Sequence, residues 1–188
     1  MQDKGKQKDL EGSKLAKLIN LCLEKNIPFV SFRLPDENAV RTMIQISGKF
    51  NLYETIQDAT DKSGFVYAPF HRKTDCPVVL FEPELMVENE NFEDSLLNEI
   101  AEKKPVYHQV SLKKPFETNK EEYLKSAESV IHSFDKTLSK VVLSRVHLES
   151  KPEGFNAGKF FVDLQEKYSN VFCHLINIPG AGIWAGAT

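Results

Sequence analysis

Residues 27–46, with the sequence IPFVSFRLPDENAVRTMIQI, decide the fold class of this chain. Two apolar runs, at residues 27–32 and 42–46, flank a turn cluster at residues 35–38. The second run alternates apolar and polar side chains, as a strand with one buried face does, so the stretch predicts two strands in a hairpin-like pair. Strands joined by a short turn pair in the antiparallel direction, which favours antiparallel sheets.

Helical and strand patterns follow one another along the rest of the chain. Apolar residues at helical spacing predict helices at residues 10–25 and 118–138, and Asn156 is suited to cap a third helix. Thr118 followed by Glu121 is typical of a capping box. Further strands are predicted at residues 64–70, 77–81, 105–110, 140–148, 171–176 and 182–188. This order of elements predicts an α+β fold rather than a doubly wound parallel sheet.

The composition favours a globular protein that binds neither nucleic acid nor membrane. The 188 residues carry 24 basic and 27 acidic side chains, a net charge of -3, whereas a nucleic-acid binder carries a basic stripe. No apolar run reaches the length of a membrane span, and the polar residues 1–9 do not resemble a secretory signal. Cys22, Cys76 and Cys173 are odd in number and widely spaced, which predicts reduced thiols and a cytoplasmic location.

The sequence contains no motif typical of a zinc site, a P-loop or a dinucleotide site. The glycines at residues 179–182 are not followed by Lys-Ser or Lys-Thr, which favours a tight turn over a phosphate loop. Five histidines lack ligand spacing and are interpreted as surface or partly buried side chains: His71, His108, His132, His147 and His174. The sequence therefore predicts no metal ligand or cofactor-binding residue within residues 1–188.

Lys140 opens the predicted strand KVVLSRVHL at residues 140–148, and it has two interpretations. A lysine at a strand end is common, because its ammonium group can reach water. The apolar residues that follow instead predict a strand buried on both faces, and a desolvated lysine loses its proton more readily, which suits a general base. Alternation places Arg145 on the opposite face, so Arg145 is interpreted as an ion-pair or backbone contact rather than a partner of Lys140.

Four segments in a fixed order resemble the isochorismate synthases, which belong to the chorismate-utilising enzymes. They are FVSFRLP at residues 29–35, GFVYAPF at 64–70, KVVLSR at 140–145, and residues 172–188, which end in GIWAGAT. The resemblance implies the fold of that family, in which antiparallel sheets pack orthogonally and helices flank them. It also implies that Lys140 is the catalytic base and that chorismate is the substrate.

The resemblance further implies catalytic groups beyond Thr188. The family continues this motif as Gly-Ala-Thr-Pro-Glu and uses that glutamate as the catalytic acid. It binds Mg²⁺ through glutamates of later segments, so the ligands of this cofactor are expected outside residues 1–188. We therefore expect residues 1–188 to be a single incomplete domain, the N-terminal part of a longer chorismate-binding enzyme. This part alone is expected to be inactive, because such groups act as a unit.

Other functions stay open on the residues alone. Salicylate synthases keep the lysine and go on to eliminate pyruvate, whereas anthranilate and aminodeoxychorismate synthases typically have glutamine in place of Lys140. The GFVYAPF segment favours isochorismate synthase, in either menaquinone or siderophore biosynthesis. A structural or interaction domain in which Lys140 is incidental is the alternative from a different class.

The last predicted strand carries Ile183, Trp184 and Ala185 and contains no charged residue. A strand edge with unpaired backbone groups and exposed apolar side chains binds other strands. We therefore expect the 188-residue chain to self-associate through this edge, or to leave this end disordered or packed against a neighbouring molecule. We also expect it to have low stability for its size, because apolar surface stays in contact with water.

Overall fold

The computed structural model describes residues 12–48, 50–68, 77–105, 117–178 and 182–188. Its helices are α1 (Lys14–Glu24), α2 (Asp94–Glu102), α3 (Lys120–His132) and α4 (Ala157–Lys167). Its strands are β1 (Phe29–Arg33), β2 (Val40–Ile44), β3 (Asn51–Tyr53), β4 (Phe65–Tyr67), β5 (Val78–Phe81), β6 (Leu85–Glu88), β7 (Cys173–Ile178) and β8 (Gly182–Ala187). None of the described helices is long and apolar enough to cross a membrane.

The strands form two antiparallel sheets, which confirms the predicted α+β class. Five strands form one sheet in the order β6-β2-β1-β7-β8, and three form the other in the order β3-β5-β4. β1 and β2 are the predicted hairpin-like pair, with Ser31 opposite Thr42. Their hydroxyl oxygens lie 2.9 Å apart and share a hydrogen bond inside the sheet. β7 pairs with the other edge of β1, and β8 pairs with β7, so the last two strands extend the same sheet.

The two faces of the five-stranded sheet bury different side chains. Phe29 on one face packs with helix residues such as Leu18 and Phe161 in one apolar core. Phe32 on the other face belongs to a second core with Phe81 of the three-stranded sheet. This alternation along β1 explains why the strand is buried throughout, since it has helices on one side and a sheet on the other. The orthogonal packing of the sheets stays a prediction.

The helical layer depends on a close contact between α1 and α4. Ser13 caps α1 by accepting a hydrogen bond from Ala16 N at 3.2 Å. Asn156 caps α4 by accepting one from Lys159 N at 2.8 Å, as predicted. A Cβ atom at Gly158 would collide with the backbone of Ala16. A glycine at this position therefore allows the two helices to approach each other closely.

The chain divides into two compact units. The first comprises Met1–Val110 and Asn156–Thr188 and contains both sheets with α1, α2 and α4. The second is Ser111–Phe155 and contains α3. The division does not test whether residues 1–188 are a single incomplete domain, and that stays a prediction.

The structure corrects two predictions about helices. The capping box of α3 uses Asn119 and Glu122, one residue after the predicted pair, because Thr118 hydrogen-bonds to Val146 instead. α2 lies in residues 83–115, where no helix was predicted. Ile100 is the buried residue of α2, and Leu96 and Leu97 pack partly buried against the same core. The predicted strand at residues 105–110 lies, except for its first residue, outside the described ranges.

Candidate active site around Lys140

Lys140 lies in the second unit, in an exposed stretch of irregular backbone. The strand predicted at residues 140–148 does not form, and the apolar residues expected to bury it face solvent. Val142 is 83% exposed and Val146 is 46% exposed. The prediction of a strand buried on both faces is therefore wrong. A strand gains its burial and its hydrogen bonds from neighbouring strands, and the described part of this unit contains a single helix and no strand.

A turn reverses the chain between α3 and Lys140. The carboxylate of Asp135 accepts hydrogen bonds from Thr137 N at 2.7 Å and from Leu138 N at 2.8 Å, the geometry of an Asx turn. The Thr137 hydroxyl and these two amides lower the pKa of Asp135, because they stabilise its ionised form. The turn directs the segment that contains Lys140 back along α3.

A second anchor holds the other end of this segment. Thr118 N donates to Val146 O at 3.1 Å, and Val146 N donates to Thr118 Oγ1 at 3.4 Å. Thr118 precedes α3, and a 13-residue helix spans about 20 Å at 1.5 Å per residue. The eight steps from Leu138 to Val146 have to cover a similar length, about 2.5 Å per residue, which lies between the rise of a helix and that of a strand. Lys140 therefore lies near the C-terminal end of α3 on irregular backbone, without a strand partner among the described residues.

Glu117 contacts the C-terminal end of the same segment, at His147 and Leu148. Its carboxylate accepts a hydrogen bond from Leu148 N at 3.2 Å and lies 3.0 Å from His147 Nδ1. His147 Nε2 lies 3.4 Å from a carboxylate oxygen of Glu149. The amide of Leu148, the ring of His147 and the charge of Arg145 lower the pKa of Glu117. We interpret this exposed group as an anchor for the segment. Sequence reasoning missed it because Glu117 and His147 are too far apart to form a local pattern.

The second unit exposes many large apolar side chains. No residue of α3 is buried, although its apolar residues have the predicted helical spacing. The exposed apolar residues of this unit are Leu124, Ile131, Phe134, Leu138, Val141, Val142, Val146, Leu148 and Phe155. Such a concentration on one small unit is typical of a surface that binds further protein.

In the last of the four segments, residues 173–178 and 182–187 form the β7–β8 pair in the first unit, which confirms both predicted strands. The rings of Phe172 and His174 stack with centroids 5.3 Å apart. His174 lies opposite Gly186, and a Cβ atom at Gly186 would come within 2.7 Å of His174 Cε1. Burial lowers the pKa of His174, and its Nδ1 atom has no hydrogen-bond partner among the described residues. The glycine of the Gly-Ala-Thr motif thus leaves room for an imidazole ring.

Arg33, in the first of the four segments, is buried. Its guanidinium group donates hydrogen bonds to the main-chain oxygens of Glu37 at 2.9 Å and Ser169 at 2.5 Å. It also donates to those of Gln165, at 3.2 Å, and Tyr168. The last carbonyl groups of a helix lack helical partners and attract a cation. Arg33 therefore joins β1 to the C-terminal end of α4, a structural role that the sequence pattern did not indicate.

No group of three or more potential metal ligands occurs in the part of the chain that the structure describes. His132 is exposed on α3, and its Nδ1 atom lies 2.7 Å from Glu128 O. Together with the contacts of His147 and His174, this confirms that the described histidines are surface or partly buried side chains. His71 and His108 lie outside the described residues.

An open cleft of about 560 Å³ lies in the first unit, and Lys140 does not line it. Glu90 and Asn89 lie in its wall. Glu90 accepts a hydrogen bond from Ser13 Oγ at 2.7 Å, and Asn89 accepts one from Val40 N at 2.9 Å. The side chains of Glu90 and Asn89 are thus engaged in contacts within the protein itself.

Comparison with known proteins gave no relative for this chain. No family model, no curated protein and no solved structure matches it. The fold is that of an α+β protein with two antiparallel sheets, and the chemical interpretation of Lys140 rests on its own segment and on the other three motifs.

Proposed function

We propose that this chain is part of an isochorismate synthase and that Lys140 is its catalytic base. The observation that carries the proposal is the order of the four segments at residues 29–35, 64–70, 140–145 and 172–188, which resembles that of the chorismate-utilising enzymes. Antiparallel strands at the first and last segments support it. Orthogonal packing of the sheets and a cytoplasmic location belong to the same proposal.

The proposed reaction adds water to one ring carbon of chorismate while the allylic hydroxyl leaves from another. The double bonds shift between the two carbons. The amine of Lys140 takes a proton from the attacking water, and an acid gives a proton to the departing hydroxyl. One water is consumed and one is released, so the product is an isomer of the substrate. In the family that the chain resembles, the acid is the glutamate of Gly-Ala-Thr-Pro-Glu, and Mg²⁺, when bound, holds a substrate carboxylate.

To act as a base, the amine of Lys140 needs a less solvated environment than the described residues supply. Its neighbours Val141 and Val142 are 40% and 83% exposed, and the segment is irregular and pairs with no described strand. A strand added beside residues 140–146 would complete a hydrogen-bonded ladder and cover these valines. Within the proposal, this strand comes from the later part of the enzyme. It also excludes water from around the Lys140 amine, so that the amine contacts the attacking water rather than bulk solvent.

A non-catalytic interaction domain is the second candidate. The exposed apolar side chains of the second unit favour it, because they suit the binding of another protein as well as they suit a missing part of the same enzyme. In this case Lys140 is one exposed lysine among others and has no catalytic role.

Product analysis distinguishes the candidates. The full product of the gene is incubated with chorismate and Mg²⁺, and the products are separated by chromatography. Isochorismate supports the proposal, whereas salicylate with pyruvate identifies a salicylate synthase. The interaction domain is favoured if chorismate stays unchanged and the gene does not encode Pro-Glu directly after Thr188. The 188-residue chain is the control and is expected to leave chorismate unchanged.

A further inference from the structure

β8 is an edge strand of the five-stranded sheet. Phe172 and Thr188 exchange two backbone hydrogen bonds of 2.9 Å, so they form a hydrogen-bonded pair at the end of the β7–β8 ladder. Such pairs alternate with non-bonded pairs along an antiparallel ladder. Every second residue of β8 therefore directs its backbone N–H and C=O groups away from β7: Ile183, Ala185 and Ala187. No other described strand pairs with these groups.

β8 lacks the features that usually prevent edge strands from pairing. It contains no charged residue and no proline, and its register with β7 is continuous. The opposite edge strand, β6, ends in Glu88, which lies 3.7 Å from Arg41 Nε and forms a bridge with Asn91. Of the two edges of this sheet, β8 is thus the one suited to adding a strand.

We propose that β8 is a self-association surface and that it pairs with β8 of a second copy, antiparallel, about a two-fold axis at Ala185. In this register all three outward-facing residues donate and accept backbone hydrogen bonds across the interface. The pairing brings no charge against another, because residues 182–188 are uncharged. An isologous contact of this kind closes as a dimer and does not propagate into a fibre.

The side chains of the proposed interface are complementary in size. Ile183 lies opposite Ala187 of the second copy, and Trp184 lies opposite Gly186 of the second copy, so each large side chain faces a small one. Ile183 is 58% exposed and Trp184 is 52% exposed, and pairing would bury both further. This self-complementarity favours a second copy over an unrelated strand. The inference does not rest on the proposed function, because it uses the backbone and side chains of β8 and not the role of Lys140.

Sedimentation velocity over a range of protein concentrations tests the proposal. The 188-residue chain is expected to form a dimer, and Ile183→Lys is expected to weaken it at least about tenfold, since a lysine at an edge opposes strand pairing. Met86→Lys is the matched control: Met86 lies on the other edge strand, is also 58% exposed, and receives the same charge. A monomer at all concentrations, or equal weakening by both variants, would overturn the proposal.

A cross-linking experiment tests the register. In a Cys76→Ser background, Ile183→Cys and Ala187→Cys chains are prepared separately and then mixed under mild oxidation. The proposed register brings these positions opposite each other at about 5.5 Å between Cα atoms, within the range of a disulfide. Disulfide-linked dimer is expected in the mixture and not in either variant alone. Linkage that is equal in all three samples, or absent from all three, contradicts the Ala185-centred pairing.

Discussion

The imidazole ring of His174 occupies the space that a side chain at Gly186 would need. The two residues face each other across β7 and β8, and a Cβ atom built on Gly186 would lie 2.7 Å from His174 Cε1 and 3.1 Å from Nε2. The ring of Phe172, two residues before His174 in the chain, stacks on the imidazole ring with 5.3 Å between the centroids. A glycine in β8, where strand propensity disfavours it, is thus explained by packing against His174.

Gly186→Ala is expected to destabilise the protein, because the added methyl group displaces a packed ring. Overpacking of this kind costs about 1–3 kcal/mol. Thermal melting of the variant measures the loss. Gly12→Ala is the control, because a Cβ atom at Gly12 has no heavy atom within 4 Å. Equal melting temperatures for the two variants would show that the His174 ring moves aside freely.

Stability is expected to fall in mild acid because of His174. Burial lowers the pKa of His174 from its ordinary value of 6.5, so below pH 6.5 the unfolded chain binds a proton that the folded chain binds only at lower pH. The contribution of His174 is complete above pH 6.5 and is lost as the pH falls toward its folded pKa. Denaturant unfolding between pH 7.5 and 5 measures this slope.

His174→Gln removes the titrating ring and is the control for this pH dependence. The slope between pH 7.5 and 5 is expected to flatten in the variant. Asp94, Asp135 and Glu117 also have lowered pKa values, but their unfolded forms titrate mainly at the acid end of this range and below it. An unchanged slope in His174→Gln would assign the effect to other groups.

Arg33 is expected to contribute more to the stability of the protein than Arg41, the other charged residue of β1 and β2. Arg33→Ala leaves four partly buried main-chain oxygens without this donor, and the variant is expected to lose about 1–3 kcal/mol in total. Arg33→Lys is expected to recover only part of the loss, because one ammonium group cannot reach all of these oxygens.

Arg41→Ala is the comparison for Arg33→Ala. Arg41 lies on β2 opposite Phe32, the chain neighbour of Arg33, and it forms partly exposed ion pairs with Glu37 and Glu88. Such pairs contribute about 0–1 kcal/mol. Denaturant unfolding of both variants gives the two free energies. Similar losses for Arg33→Ala and Arg41→Ala would contradict the role of Arg33 as the link between β1 and α4.

Local patterns predicted most of the first unit. Alternation in residues 42–46 and the apolar run at 171–176 predicted β2 and β7, and Asn156 marked the start of α4. These predictions held because each pattern matches the burial that the fold provides. α2 was missed because its surroundings are acidic and Ile100 is its one buried residue.

Residues 140–148 show where local pattern is insufficient. Their three valines have high strand propensity, but a strand also needs a partner that the sequence of the segment does not contain. The buried role of Arg33 could not be predicted for a related reason: its acceptors Gln165, Tyr168 and Ser169 are more than 130 positions away in the chain. Contacts of this separation leave no periodic signal.

Chorismate turnover by Lys140→Ala tests the central claim most directly. The full gene product, its Lys140→Ala variant and its Lys136→Ala variant are compared for isochorismate formation in the presence of Mg²⁺. Lys136 is the matched control, because it is also exposed and lies in the turn that precedes the same segment. The account predicts that Lys140→Ala lowers turnover at least about a hundredfold, as loss of a general base does, while Lys136→Ala leaves it nearly unchanged. Normal isochorismate formation by Lys140→Ala would contradict the account.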